Sequence, residues 1–186
     1  MERSNNSSLR RIAMKKTTTC VCAMALITAV AAGAEEIICR EAKLAFEQPS
    51  SDWRVKTDFP APVAASMENS GLNATITFTY KDFDIYDFKI DYGFLKGQLE
   101  KNEKNTFKVT KPNYDRISLG DKRFDFGRAA RLEFSTFDEL GYHHTVVYAI
   151  GNGPIVIFAS AESLEREWPL VEKDFEAVMQ SIRFTP

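Results

Sequence analysis

Apolar residues recur along this chain with two distinct periods, and the changes between them mark its elements. From Asn73 to Lys81, Ala74, Ile76, Phe78 and Tyr80 alternate with Thr75, Thr77 and Thr79, which predicts a strand with one apolar and one hydroxyl face. Within Arg128–Phe137, Ala130, Leu132 and Phe134 alternate in the same way with Arg131, Glu133 and Ser135. Val146–Ile150 and Ile155–Ala159 are apolar at every position. The strands that hold them, Tyr142–Ile150 and Ile155–Ser160, should lie centrally with both faces covered, joined as an antiparallel hairpin by the short Gly151–Gly153 connection. Ala42–Glu47, Trp53–Thr57 and Tyr114–Leu119 complete the predicted strands, and Pro60 and Pro62 interrupt the pattern between the second and third.

The period becomes helical between Ile85 and Leu99. Ile85, Phe88, Tyr92, Leu95 and Leu99 fall at spacings of 3, 4, 3 and 4, which puts all five on one helical face. Asp84 is placed to cap this helix, with Asp87 three positions on. Gly93 and Gly97 each weaken it by about 1 kcal/mol relative to Ala, so packing on the sheet has to hold it. A closing helix begins at Pro169, which suits a first turn where a missing N–H costs little. Val171, Phe175, Val178, Met179 and Ile182 form its inner face, and Arg183-Phe184 leads off its end. Asn69-Ser70-Gly71 and Gly151-Asn152-Gly153-Pro154 are single turns, not joints between domains.

Upstream, the chain is built like an export signal. Arg10, Arg11, Lys15 and Lys16 precede an almost continuously apolar run, Cys20–Ala32, and Ala32-Gly33-Ala34 supplies the small-residue cleavage pattern. The run falls short of the roughly 20 residues a spanning helix needs. Residues 1–34 are therefore expected to be a signal peptide, with Met14-Lys15-Lys16 a compact start of its own, and residues 35–186 a single domain. Secreted or periplasmic localisation follows, with no transmembrane span in the mature chain.

Charge and cysteine use agree with that address. Cleavage after Ala34 removes five basic residues and one acidic one and moves the formal net charge from −2 to −6. That balance does not suit nucleic acid or anionic lipid held by bulk charge. Of the three cysteines only Cys39 remains, so no internal disulfide can form. Thr19, Val21 and Ile38 stand where a lipoprotein carries a small residue before its modified cysteine. Cys39 itself is expected to be a semi-buried thiol beside Arg40, without a partnering histidine.

The order of elements is a β-rich start, a strand, a helix, four strands and a helix. With it go Trp53 after a polar turn, the Gly120–Ala130 stretch leading into a strand, Gly141, Ile155–Ala159, and the closing Phe175, Val178, Ser181, Ile182, Phe184 pattern. In these features the chain resembles the PsbP-like fold family, which includes the DcrB-like and LpqN-like secreted bacterial proteins. The resemblance spans most of the mature chain. It implies an α+β fold, with a twisted, mainly antiparallel sheet flanked by helices on both faces as an α/β/α sandwich. It also implies binding to or assembly with other proteins, and it carries over no catalytic set and no site residue.

Candidate chemistry is sparse. His143 and His144 are the only histidines, and neighbours on a strand point to opposite faces, so they cannot chelate one ion together. No G-x-S-x-G elbow, glycine-rich phosphate loop or dinucleotide fingerprint is present. Asp82, Asp84, Asp87 and Asp91 form the densest acidic group, but lack the loop glycine and distal glutamate of a calcium loop; helix capping accounts for most of them. Lys96, Lys101, Lys104, Lys108 and Lys111 read as a solvated helix end and loop. Among Lys122, Arg123, Arg128 and Arg131, period two sets Arg131 beside Glu133 for local pairing.

Aromatic residues are abundant, at two Trp, six Tyr and fourteen Phe. Phe78, Phe88, Phe134, Phe158 and Phe175 are expected inside. Phe83, Tyr86, Phe94 and Tyr142 fall at turns or off the main stripe, where they either pack over sheet edges or form a contact patch. The expectation is an exported, non-enzymatic binding or assembly module of the cell envelope whose partner is another envelope protein, with no catalytic, metal or cofactor residues assigned. The alternatives are a small hydrolase or metal-dependent enzyme using His143 or His144, and a carrier of a small apolar ligand in a cavity between the first helix and the sheet. A deep pocket joining a histidine to acidic residues favours the enzyme, a closed apolar cavity the carrier, and a flat aromatic patch with neither the binding module.

Overall fold

The computed structural model describes residues 35–83, 90–91, 93–98 and 115–186. Within them the chain runs β1 (Glu36–Cys39), β2 (Leu44–Glu47), β3 (Arg54–Lys56), β4 (Val63–Asn69), β5 (Ala74–Asp82), a helical segment α1 (93–98), β6 (Asp115–Phe124), β7 (Gly127–Asp138), β8 (Gly141–Asn152), β9 (Ile155–Leu164), α2 (Trp168–Ser181) and β10 (Arg183–Phe184). Seven strands form one sheet in the order β3-β4-β5-β9-β8-β7-β6, and β1-β2-β10 form a small second sheet. Every pairing is antiparallel. Two meanders, β3 to β5 and β6 to β9, meet where β5 pairs with β9 along Thr75↔Glu162 to Asp82↔Ile155.

The doubly apolar strands β8 and β9 sit in the middle of the sheet, as their composition requires. One face carries Phe78, Val146, Tyr148, Ile150 and Ile157 into the main core, where they meet α2 and β2. Phe46 of β2 stacks on Phe78 of β5 at 4.4 Å, and Tyr148 of β8 meets Phe175 of α2 at 5.5 Å. Trp53 is fully buried, and its Nε1 donates to Asp174 on α2 at 2.8 Å. The small sheet is tied to the helix end where the Glu47 amide donates to Ser181 Oγ at 2.8 Å. The opposite face holds a second cluster, in which Leu95 of α1 packs with Ala130, Leu132, Ala149 and Val156. The sheet dominates, and helical cover among the described residues is limited to α1 and α2.

Several boundaries differ from those expected. Val63–Asn69 forms β4, although its Ala-Ala-Ser core carries little strand propensity; pairing with β5 on one side and β3 on the other overrides it. Glu36–Cys39 pairs with β2 immediately after the expected leader, and Arg183–Phe184 returns as a short strand against β2. Trp53 lies in a bend just before β3 rather than within a strand.

The helix expected over Ile85–Leu99 is not continuous, because Ile90 and Asp91 are not helical. Asp91 instead caps the turn that follows, its Oδ1 accepting the Phe94 amide at 3.2 Å, which is what a short acidic side chain does best at a helix start. Ile90 packs into the second cluster beside Gly151, where a Cβ would stand 2.9 Å from Ile90 Cδ1. Of the expected helical stripe, Leu95 is buried, whereas Asp84, Ile85, Asp87, Phe88, Tyr92 and Leu99 lie outside the described residues.

Burial along α2 makes a direct test. Phe175→Ala should lower unfolding free energy by about 3–5 kcal/mol, while Gln180→Ala, on the exposed side, should change it by no more than about 0.5 kcal/mol. Urea denaturation measures both, and equal losses would mean that this face of α2 is not the one that packs.

Candidate functional site

The two histidines sit at one end of the β7–β8 hairpin and take opposite faces. His143 Nε2 lies 3.1 Å from Asp138 Oδ1, and its Nδ1 lies 3.5 Å from Glu162 Oε1 on β9. Asp138 is thus the hydrogen-bond partner of Nε2, and Glu162 lies beside Nδ1. His144 stacks on Trp168 at the start of α2, with ring centroids 4.2 Å apart. Its Nε2 is buried 2.9 Å from Glu133 Oε1 yet makes no hydrogen bond. The two atoms are close without the geometry of a hydrogen bond.

Beyond His144 the same sheet face carries a chain of polar groups beneath α2. Arg131 Nη1 meets Glu133 Oε2 at 2.5 Å, as the period-two spacing implied. The Tyr148 hydroxyl donates to Glu176 Oε1 at 2.7 Å, and Lys122 pairs with Glu176. Burial, with Glu176 beside it, pushes the Tyr148 phenol far above its usual range. A group held that firmly in its neutral form acts as a structural donor and not as an acid at neutral pH. Arg128 pairs with Asp121 across the sheet edge. The contacts to Glu176 tie α2 to the sheet, and among the described residues no set of three His, Cys, Asp or Glu is arranged to hold a metal ion.

The turn of this hairpin is tightly specified. Asp138 Oδ1 accepts the Leu140 amide at 2.8 Å, the short-side-chain bond that turn-forming aspartates make. Gly141 has φ +120°, a conformation that disfavours any side chain. The Leu140 amide, aided by His143, holds the Asp138 carboxyl below its ordinary range. On this scaffold Phe137, Leu140 and Tyr142 are 59%, 74% and 42% exposed. Phe137 and Tyr142 are cross-strand partners with rings 4.8 Å apart. Three large apolar side chains at one ordered tip form the kind of exposed patch that marks a contact surface.

The other singled-out residues have different placements. Phe83 and Phe94 pack edge to face at 5.7 Å, and Phe94 meets Phe158 at 6.0 Å. They cover the second face of the sheet and form no patch. Tyr86 lies outside the described residues, as do Lys101, Lys104, Lys108 and Lys111. Lys96 is exposed. Cys39 is buried, with Sγ 3.6 Å from the Ala64 carbonyl, and burial with Glu41 nearby pushes its thiol up to about 11, the opposite of a reactive cysteine.

A groove of about 620 Å³ runs between α1 and the sheet, lined by Thr79, Lys81, Gln98, Val147, Phe158 and Ser160 among others. It is a cleft and not a closed cavity. A smaller groove of about 440 Å³ is lined by both His143 and Glu68, and Lys56 holds Glu68 at 3.1 Å. Sequence reasoning named Tyr142 as off the main stripe and passed over Leu140. The available signal was a lone leucine in the polar turn Asp138-Glu139-Leu140-Gly141.

No protein-family model and no curated protein sequence matches the chain, but solved structures do. The solution structure of cyanobacterial PsbP (CyanoP) from Synechocystis sp. PCC 6803 aligns over 84% of this chain and 95% of its own, at TM-score 0.61 and 12% identity. The fold is PsbP-like. A crystal structure from Bacteroides thetaiotaomicron VPI-5482 aligns over 82% of this chain and 49% of its own, at TM-score 0.55 and 15% identity, so this chain spans about half of that protein. Identities this low speak for the PsbP-like fold alone, and a shared fold does not fix function. What this PsbP-like domain does has to be argued from its own surface.

The double replacement His143→Gln with His144→Gln should leave the PsbP-like fold in place. Losing the ring stacked on Trp168 should reduce stability by about 1 kcal/mol, and His143→Gln alone should change it less. Thermal melting with near-ultraviolet circular dichroism of the Trp168 environment reads both. Complete unfolding of the double variant would overturn this account.

Proposed function

We propose that this chain is an exported, non-enzymatic binding or assembly module of the cell envelope, and that it contacts another envelope protein through the β7–β8 tip. The observation that carries this reading is the exposure of Phe137, Leu140 and Tyr142 on a turn fixed by Asp138 and Gly141. A pre-ordered apolar tip loses little conformational freedom on docking, so more of its contact energy survives as affinity. Aromatic anchors of this kind carry most of the energy at protein interfaces.

Asp138 at Nε2 and Glu162 beside Nδ1 of His143 support the non-enzymatic reading over hydrolytic or metal chemistry. The leader-like residues 1–34 support export, and the PsbP-like fold is compatible with both. The α1 groove, with Val147 and Phe158 in its lining, supports a second reading as a small-ligand carrier.

Export has a direct readout. Intact-mass analysis of protein from the native host should show Glu35 at the N-terminus, and full-length protein kept in the cytoplasm would remove the envelope reading. Contact through the tip is read by placing the photo-crosslinker p-benzoylphenylalanine at Phe137 or, as control, at Gln180 on the exposed side of α2. Illumination of host cells should give a discrete heavier adduct from the first position and none from the second. Adducts from neither position would exclude a stable protein partner at this tip.

A further inference from the structure

We infer that the surface receiving the β7–β8 tip is an apolar pocket rimmed by lysine or arginine side chains on another protein. This inference rests on the proposed role of the tip as a docking element and adds the chemistry of what it docks into.

The argument begins with the charges around Phe137, Leu140 and Tyr142. Asp138 and Glu139 are exposed within the turn itself, Glu162 is exposed on the adjacent end of β9, and Glu165 follows in the connection to α2. Glu167 stands one turn further on and accepts from Arg166 Nε at 3.0 Å. Arg166 is the one arginine or lysine in this stretch from Glu162 to Glu167 or in the turn 138–141. His143 lies between Asp138 and Glu162. Among the described residues, the β9 side of the apolar tip therefore carries more carboxylates than basic side chains.

That arrangement selects among occupants. An anionic lipid surface would be repelled by the same carboxylates that flank the apolar side chains. A second copy docking tip to tip would bring the two sets of carboxylates together, and like charges across an interface oppose association. A protein pocket with an apolar floor and a basic rim satisfies both features at once. Its floor takes Leu140 and the Phe137–Tyr142 pair, and its rim meets Glu139 and its acidic neighbours. Rim charges act mainly on the association rate and its salt dependence, while the buried anchors set the lifetime. Charge and anchor changes should thus have separable effects.

The test uses the full chain carrying p-benzoylphenylalanine at Phe137, illuminated in intact envelopes of the host. Against this background Glu139→Lys with Glu165→Lys should reduce adduct yield by about tenfold or more. Raising NaCl from about 0.05 to about 0.5 M should reduce it in the unreversed protein, because exposed charges are then screened. Leu140→Asp should abolish the adduct, with thermal melting confirming that both variants stay folded. The crosslinked partner peptide, sequenced by mass spectrometry, should place lysine or arginine beside apolar residues.

An adduct that survives charge reversal and high salt would overturn the basic rim while leaving the tip as a docking element. An adduct of roughly twice the chain's mass made only of this protein would overturn it in favour of self-association. Flotation of the purified protein with phosphatidylglycerol vesicles, lost on Leu140→Asp, would overturn it in favour of a membrane. No adduct at all would remove both this inference and the reading on which it rests.

Discussion

The structure depends on one constraint: strands β8 and β9 are apolar on both faces, and neither face can be left to water. The main sheet must therefore be covered twice. On one side α2 and the small β1-β2-β10 sheet do this, through Phe46 on Phe78 and Phe175 on Tyr148. On the other, Leu95 and Phe94 of α1 pack over Ala149, Val156 and Phe158. Fully burying each large apolar side chain is worth about 1.5–3 kcal/mol, so the two-sided arrangement follows from the composition of two strands.

The candidate site lies where that cover runs out. β7 and β8 are 12 residues each, which at a strand's rise spans about 40 Å. α2 has 14 residues, about 21 Å of helix. The helix cannot shield the whole hairpin, and the end left over holds Phe137, Leu140 and Tyr142. His144 marks the border, stacked on the first residue of α2, and His143 braces the far side between Asp138 and Glu162. Both histidines thus sit where the hairpin leaves its cover, each against a carboxylate.

Sharing the PsbP-like fold says how this sheet is assembled and leaves open what it meets. Sheets of this design can change their exposed hairpin ends without disturbing the core, because the tips contribute little to either apolar cluster. Functional difference between proteins of one fold is expected to concentrate in such places. The apolar tip and the carboxylates on its β9 side belong to this chain's own residues.

Much of this was legible in the sequence. Period two marked β5 and β7, unbroken apolar runs marked β8 and β9 as central, and the inner face of α2 followed from Val171, Phe175, Val178 and Met179. These patterns are local consequences of which face must be dry, and the alternation of strand side chains also set His143 and His144 on opposite faces. Three things needed the tertiary structure. β4 is a strand only because β3 and β5 flank it, a contact its Ala-Ala-Ser core does not announce. Ile90 and Asp91 stay outside the helix because Asp91 caps the turn that follows and Gly151, distant in sequence, leaves room for the Ile90 side chain. Exposure of the hairpin tip depends on how far β7 and β8 outrun α2, a comparison of lengths between elements that no window of sequence contains. Local periodicity records which residues must be buried; only the packed chain decides what is left to bury them, and where it ends.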